Sequence, residues 1–224
     1  MSALWEVGGD VTRVLAVCTG NVCRSPLVEA LLQEGFDAVM PGAFAVRSAG
    51  THALVGSPPT PEIVELAGRL GVSVDGIRAR NLVESEVHDA DVVLALDRGH
   101  RATIVERVPR ALKKTFTLRE LARLLPQVLV EGEAWPQQRW QSAVVWAARR
   151  RRAVPSGPDA DDVVDPFQQP APVLWEMAGQ LVPSVDALLQ WERRAHGRGE
   201  SGGRGEPGGI GGPGWPGGPG LRGL

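Results

Sequence analysis

One stretch decides the fold of this chain: Cys18-Thr19-Gly20-Asn21-Val22-Cys23-Arg24-Ser25-Pro26. It follows the apolar run 11–17 and precedes the helical pattern 27–32. A strand, a tight loop and a helix start in this order build a cradle whose backbone N–H groups and helix dipole attract an anion. That environment favours the thiolate form of Cys18, and Arg24 can present a planar fork to two oxygens of a tetrahedral oxyanion. The stretch therefore predicts attack of a thiolate on a bound phosphoryl group.

The residues inside the stretch support this interpretation. Gly20 and Asn21 tolerate the left-handed backbone angles that a phosphate loop needs. Ser25 can donate a hydrogen bond to the Cys18 sulfur, and Pro26 suits the first position of a helix. The alternative is a buried cysteine at a strand end beside a surface arginine, and these neighbours disfavour it.

The stretch resembles the phosphate loop of the low-molecular-weight protein tyrosine phosphatases, whose pattern is Cys-x-Gly-Asn-x-Cys-Arg-Ser-Pro. Every fixed position of that pattern is present. The family's further landmarks follow in order over about residues 11–190: Ser48-Ala49-Gly50-Thr51, Gly56-Ser57-Pro58-Pro59, Arg78-Ala79-Arg80, Leu96-Asp97 and Asp165-Pro166. The resemblance implies a phosphatase I-like fold and a phosphatase that needs no metal and no cofactor.

The apolar pattern independently predicts an α/β fold. Short β-branched runs at 11–18, 43–47, 91–96 and 115–118 alternate with helical patterns at 26–33, 59–70, 98–106 and 119–125. This alternation indicates a doubly wound, four-stranded parallel sheet with helices on both faces. Ligands of such sheets bind at the carboxyl ends of the strands, where Cys18 falls. A last helix is predicted over 170–194, with an apolar stripe that packs into the core.

The chain divides into a phosphatase domain over 1–196 and a tail over 197–224. The tail is rich in glycine and proline and is predicted to be disordered. The domain carries an insertion around 122–164, which predicts an extra amphipathic helix near the active-site side. Its four consecutive arginines, 149–152, fit a solvated face or, alternatively, a basic rim that attracts acidic phosphopeptides.

Bulk properties restrict the function classes. A net charge of −2 gives no reason to expect nucleic acid as a partner. No apolar run is long enough to span a bilayer, and no basic segment followed by a long apolar one precedes the loop. Two cysteines within one motif do not form a disulfide framework, which is typical of a reducing compartment. A cytoplasmic protein without a membrane partner is expected, and the oligomeric state stays open.

Hydrolysis also needs an acid for the leaving oxygen and a base for water, and one carboxyl group can serve both steps. The candidates are Asp161, Asp162 and Asp165. Asp165-Pro166 is the only Asp-Pro in the chain, and it matches the family's general-acid motif, in which an aromatic residue follows, here Phe167. A turn or a helix start is the alternative interpretation of this dipeptide.

The resemblance assigns the remaining site residues. It makes Cys18 the nucleophile, Arg24 the phosphate ligand and Asp165 the acid, and the substrate is bound by the loop residues Thr19, Gly20, Asn21, Val22, Cys23 and Ser25. It implies that Ser48 hydrogen-bonds Asn21 and that Asp97 supports the loop. His52 and Phe167 would line the entrance, although His52 fits a plain surface residue equally well. We interpret His100 as structural or exposed.

The sequence departs from the family pattern at Ile77 and in its lack of tyrosine, and Cys23 has two possible roles. Ile77 stands where many members have a histidine that restrains the loop asparagine, which predicts a less rigid loop. The chain contains no tyrosine, so the rim must use other residues. Cys23 could form a reversible disulfide with Cys18 that protects it from over-oxidation, or simply fill space.

These observations favour a phosphomonoesterase, with protein phosphotyrosine as its substrate and a phosphocysteine intermediate. The alternative is arsenate reduction on the same fold with an external small thiol. The thioredoxin-coupled form of that reaction needs further cysteines downstream, and none follows Cys23. An oxyanion-binding interaction module is a third hypothesis, but binding alone requires no nucleophile.

Overall fold

A parallel sheet is the centre of the computed structural model, which describes residues 11–128, 135–151, 157 and 160–201. Its four strands are β1 (Thr12–Cys18), β2 (Phe44–Gly50), β3 (Val92–Ala95) and β4 (Thr115–Thr117). They lie in the order β2-β1-β3-β4, and every pairing is parallel. The predicted sheet is thus confirmed, with strand ends displaced by at most a few residues.

Seven helices connect and cover these strands in the described part of the chain. They are α1 (Arg24–Asp37), α2 (Pro61–Arg69), α3 (Glu84–Asp89), α4 (Arg98–Arg107), α5 (Leu118–Leu124), α6 (Pro136–Arg150) and α7 (Ala171–Ser201). Short 3-10 turns follow α4 at Pro109–Lys113 and α5 at Leu125–Gln127. Pro26 is the third residue of α1 rather than the first, a position whose N–H has no intrahelical partner in any case.

Helices cover both faces of the sheet, as the continuous apolar strands predict. Val14 and Ala16 of β1 join a large core cluster with side chains from α1, α5, α6 and α7. The alternate residues Leu15 and Val17 join a smaller cluster with side chains from α3 and α4. Cys18 extends the first row and brings β1 to its carboxyl end at the edge of the large cluster.

The predicted extra helix exists as α6, but the prediction that it lies near the active-site side is wrong. Its Trp140 ring packs edge-on against Phe44, 6.1 Å between centroids, and its Gln141 donates to the Asp91 carboxylate at 3.1 Å. Phe44 begins β2 and Asp91 directly precedes β3. Helix α6 therefore lies at the amino ends of the strands, whereas Cys18 lies at the opposite end.

The described arginines of the run 149–152 also lie away from the loop that carries Cys18. Arg151 pairs with Glu120 at 2.5 Å and donates to the carbonyl of Thr115, the first residue of β4. The guanidinium of Arg150 lies 4.9 Å from the Trp146 ring centroid. Arg152 falls outside the described residues. These contacts give no support to a basic rim beside the catalytic loop.

Helix α7 continues through Ser201, past the predicted end of the domain at residue 196. The rest of the predicted tail, 202–224, lies outside the described residues. No helix in the described ranges combines the length and apolar character that a bilayer crossing requires.

Candidate active site

The phosphate loop is held by hydrogen bonds on its outer side. The carbonyls of Cys18, Thr19 and Gly20 accept from the N–H groups of residues 51, 52 and 54 at 2.9–3.0 Å. Asn21 has φ of 55°, as predicted for this position. The N–H groups of residues 20–23 find no protein acceptor within the described chain, which leaves them available to an anion. The result is a concave set of donors suited to an oxyanion.

Gly50, the last residue of β2, allows this arrangement. A Cβ atom at this position would lie 2.3 Å from the carbonyl oxygen of Thr19. Only glycine lets β2 approach the loop backbone so closely. The glycine of the Ser48-Ala49-Gly50-Thr51 landmark is therefore a requirement of the loop itself.

Ser25 points its hydroxyl at the Cys18 sulfur. The Oγ–Sγ distance is 2.9 Å, and both residues are buried. Asn21 donates to the same Ser25 oxygen at 2.9 Å. The Ser25 oxygen accepts from Asn21 through a lone pair, so its one proton stays available to a Cys18 thiolate, which can only accept. The geometry thus supplies the hydrogen bond that a thiolate needs.

Arg24, the first residue of α1, lies across the loop and is only 3% exposed. Its Nη2 donates to Asp165 Oδ2 at 2.6 Å. Its Nη1 donates to Asp97 Oδ2 at 3.3 Å and to the Val163 carbonyl at 3.0 Å. The fork is therefore held by two carboxylates and one backbone oxygen that come from distant parts of the chain.

A cavity of about 160 Å³ joins these groups. The predicted nucleophile, phosphate ligand and acid all line it, together with the loop residues and three rim side chains. The lining is Cys18, Thr19, Gly20, Asn21, Val22, Cys23, Arg24, His52, Leu54, Asp165 and Phe167. A larger groove, lined by residues of α1 and β2, lies on the other side of Ser48 and contains neither Cys18 nor Asp165.

The sequence matches a family model described as low molecular weight phosphotyrosine protein phosphatase over residues 13–126. The chain belongs to this family. The match spans more than half of the chain and contains the complete phosphate loop. The resemblance inferred from the loop is confirmed.

Members of the low molecular weight phosphatase family with two different names resemble this chain. The probable low molecular weight protein-tyrosine-phosphatase EpsP of Ralstonia nicotianae is 37% identical over 111 residues, which cover 50% of this chain and 73% of that protein. The protein-arginine-phosphatase of Geobacillus stearothermophilus is 40% identical over 108 residues, covering 48% and 70%. The solved structure of the YwlE arginine phosphatase from Geobacillus stearothermophilus superposes with a TM-score of 0.60 at 28% identity, covering 82% of this chain and 94% of that one.

The loop that carries Asp165 lies beyond the residues matched by the low molecular weight phosphatase model, so geometry alone argues for its role. Asp161 pairs with Arg123 at 3.0 Å and Asp162 with Arg98 at 3.1 Å. Neither carboxylate lines the catalytic cavity, whereas Asp165 does. Of the three candidates, Asp165 is the one that the structure brings to Cys18.

The loop asparagine is restrained without a histidine. Asn21 donates to Ser48 Oγ at 2.8 Å and accepts from the Arg80 N–H at 2.9 Å. Ser48 in turn donates to Glu29, and burial raises the pKa of that carboxyl group. Glu29 and the Arg80 backbone were missed by the sequence prediction. Glu29 follows Ser25 by one helical turn, which places it on the loop-facing side of α1.

Cys23 lines the cavity beside Cys18 as a second free thiol. Burial raises its pKa to about 12, against an opposing contact with the Thr60 hydroxyl at 3.8 Å. Cys23 is therefore a neutral thiol near pH 7. The proposed protective disulfide stays a prediction.

Asp97 supports the loop through Arg24 and also caps α4, because its Oδ1 accepts from the His100 N–H at 2.7 Å. Burial opposes ionisation of Asp97, but the close contact of the His100 ring, the hydrogen bond from the His100 N–H and the charge of Arg24 lower its pKa to about 2. His100 itself is 6% exposed. The hypothesis of an exposed histidine at this position is therefore wrong.

His52 and Phe167 both line the cavity, as the resemblance implies, and Leu54 joins them at the rim. Phe167 and Leu54 are partly exposed, so the entrance has an apolar border. Within the described residues, no group of three or more His, Cys, Asp or Glu side chains could hold a metal ion.

Proposed function

We propose that this chain is a cysteine-dependent protein phosphatase that hydrolyses phosphotyrosine. The observation that supports the proposal is one small cavity lined by Cys18, the loop residues 19–23, Arg24 and Asp165. The same chemistry suits the family to which the chain belongs.

In the first step the Cys18 thiolate attacks the phosphorus, and an S–P bond forms as the P–O bond to the leaving group breaks. The loop N–H groups and the Arg24 fork stabilise the charge on the phosphoryl oxygens. The Asp165 carboxyl group gives its proton to the leaving oxygen.

In the second step water attacks the phosphocysteine. Asp165, now a carboxylate, takes a proton from that water, and an O–P bond forms as the S–P bond breaks. Ser25 donates a hydrogen bond to the departing thiolate across the 2.9 Å Oγ–Sγ distance. Inorganic phosphate leaves, and Cys18 is ready for another cycle.

The rim favours an aromatic phosphoester. Leu54 and Phe167 border the entrance, and they suit the faces of a phenyl ring better than a charged guanidinium. Asp165 is the single carboxylate among the described cavity-lining residues, and the mechanism commits it to proton transfer. The Geobacillus stearothermophilus relative is named an arginine phosphatase, but a phosphoarginine guanidinium would find no further carboxylate to pair with among the described residues of this cavity.

The test compares substrates on the wild-type protein. An aryl phosphate, a phosphotyrosine peptide, a phosphoserine peptide and a phosphoarginine peptide are assayed, together with arsenate reduction by a small thiol. We expect the highest kcat/KM with phosphotyrosine. Absence of all phosphatase activity, or arsenate reduction as the sole reaction, would overturn the proposal.

Three variants test the mechanism. Cys18→Ser should lose activity by at least about 1,000-fold, and Asp165→Asn should lower kcat by about 100- to 1,000-fold on substrates with poor leaving groups. The matched control is Asp162→Asn, in the same loop but paired with Arg98, and it should keep most of the activity. Turnover retained by Cys18→Ser would contradict a phosphocysteine intermediate.

We further propose a phosphoprotein substrate in the cytoplasm. Free thiols at Cys18 and Cys23 suit a reducing compartment. Fractionation of cells that express the tagged protein tests the location, and recovery in an oxidising compartment would contradict it.

A further inference from the structure

His100 lies in the first turn of α4, buried between Asp97 and the phosphate loop. Its Nδ1 is 2.9 Å from Asp97 Oδ2, a charge contact that is not aligned as a hydrogen bond. Its Nε2 is 2.8 Å from Thr19 Oγ1. The two ring nitrogens therefore face two different parts of the active site.

Thr19 is the residue directly after the nucleophile. Its carbonyl accepts from the His52 N–H at 3.0 Å, and the residue lines the catalytic cavity. A hydroxyl both donates and accepts, so the bond between Thr19 and His100 forms in either protonation state of the imidazole. His100 thus fixes the Thr19 side chain on the wall of the oxyanion cradle.

On its other side the imidazole faces the carboxylate that holds Arg24. Asp97 Oδ2 lies 3.3 Å from Arg24 Nη1 and also faces the His100 ring. The contacts run without a gap from Thr19 through His100 and Asp97 to Arg24. They join the two ends of the phosphate loop, one beside the nucleophile and the other at the start of α1.

We propose that His100 is a positioning residue for phosphoryl transfer. It touches neither substrate nor sulfur, and it acts through Thr19 and Asp97 to keep the Arg24 fork at a fixed position relative to Cys18. The role rests on the proposed phosphatase function. It differs from simple capping of α4, because the cap uses the His100 backbone N–H, which every residue except proline supplies.

The test uses substitutions that separate the two sides of the ring. His100→Ala removes both contacts, whereas His100→Gln keeps a terminal amide that can bond Thr19. Thr19→Val removes the hydroxyl with little change in shape, and Thr19→Ser retains it. The control is His88→Gln, a histidine exposed near the end of α3 and remote from the loop.

We expect His100→Ala to lower kcat about 10- to 100-fold, as misplacement of a catalytic fork does. It should also weaken competitive inhibition by inorganic phosphate. His100→Gln should recover part of both losses, Thr19→Ser should lose less activity than Thr19→Val, and His88→Gln should stay near wild type. In the double variant His100→Ala/Thr19→Val, the losses should be less than additive, because both changes break the same contact.

The proposal is overturned if His100→Ala lowers only the melting temperature and leaves kcat and phosphate inhibition within about twofold of wild type. Fully additive losses in the double variant would overturn it as well. If His100→Ala does not fold, Thr19→Val against Thr19→Ser decides the same question.

A measurement of phosphate binding tests the role of His100 separately from the proposed phosphatase activity. Inorganic phosphate should protect Cys18 from alkylation by iodoacetate in the wild type, and protection should weaken in His100→Ala. If the wild type hydrolyses no phosphoester but shows this difference in protection, the proposed function fails, whereas the placement of the Arg24 fork by His100 is supported for oxyanion binding alone. Equal protection in both proteins overturns the positioning role.

Discussion

Among the described residues two arginines are almost fully buried, Arg24 at 3% exposure and Arg139 at 1%, and they lie at opposite ends of the sheet. Arg139 of α6 pairs with Glu192, whose side chain is 0% exposed and also accepts from the Trp140 indole at 2.9 Å. Arg24 pairs with Asp97 and Asp165, which are 26% and 47% exposed, and Asp165 lines the catalytic cavity. Arg139 is enclosed together with Glu192, whereas Arg24 lines the catalytic cavity.

Arg24 and Arg139 are both buried charges, so burial of a charge does not by itself indicate a functional residue. Both arginines are costly to bury, and both need carboxylate partners. The difference lies in what the partners can do. Glu192 is committed to two donors in the interior, whereas Asp165 lies beside Cys18 and is accessible to a substrate. Accessibility of the partner, rather than burial of the arginine, distinguishes the catalytic end.

The largest effect should come from Arg24→Met. We expect kcat/KM for an aryl phosphate to fall at least about 10,000-fold, because two donors to the transition state are lost and each contributes about 100- to 1,000-fold. Stability should fall by only about 2 kcal/mol, because Asp97 and Asp165 are partly hydrated. Urea denaturation beside steady-state kinetics checks both values. If Arg24→Met is strongly destabilised but its folded fraction keeps the wild-type specific activity, the two arginines do not differ in the way described.

Methionine at the other buried arginine should lower stability strongly and leave activity nearly unchanged. Arg139→Met leaves Glu192 buried without its cation, which costs about 3–5 kcal/mol of unfolding free energy. The specific activity of the folded fraction should stay near wild type. Arg139→Met/Glu192→Gln should regain much of the stability, because the neutral amide is cheaper to bury and still accepts from Trp140. A catalytic defect in the folded fraction would show that the two ends are coupled.

The smallest effect concerns acid stability at the catalytic end. The pKa of Asp97 is lowered to about 2, so its stabilising contribution is complete above about pH 4 and is lost as the pH falls from about 4 to about 2. Partial exposure reduces this contribution to about 1 kcal/mol. Denaturation between pH 5 and pH 2 should show a steeper loss in wild type than in Asp97→Asn. Parallel curves for the two proteins would contradict the assignment.

Local pattern was sufficient to predict the sheet and the loop. The four strands are short apolar runs, and a run of this kind suits a strand covered on both faces. The stretch 18–26 specifies its own turn through Asn21 and its own helix start. Asp165 was selected because hydrolysis needs an acid and Asp165-Pro166 matches the family motif; it lines the cavity, and its role as the acid stays a prediction.

Other features depend on tertiary contacts that no local pattern contains. Helix α3 has six residues and no apolar period long enough to recognise. The position of α6 is set by Trp140 packing against rings from α1, β2 and α7. His100 meets Thr19 across 81 positions of sequence, a contact that follows from the strand order and not from the residues around either one.

The loop that carries Asp165 has its own contacts with the rest of the domain, and they do not involve α6. Arg98 and Arg123 bind its two preceding aspartates, Arg119 donates to the Asp162 carbonyl at 2.8 Å, and the Val163 N–H donates to the Leu96 carbonyl at 2.9 Å. These attachments come from α4, α5 and the end of β3, not from α6. The position of Asp165 is therefore set by α4, α5 and the end of β3. Substitutions on the exposed face of α6 should leave the acid in place.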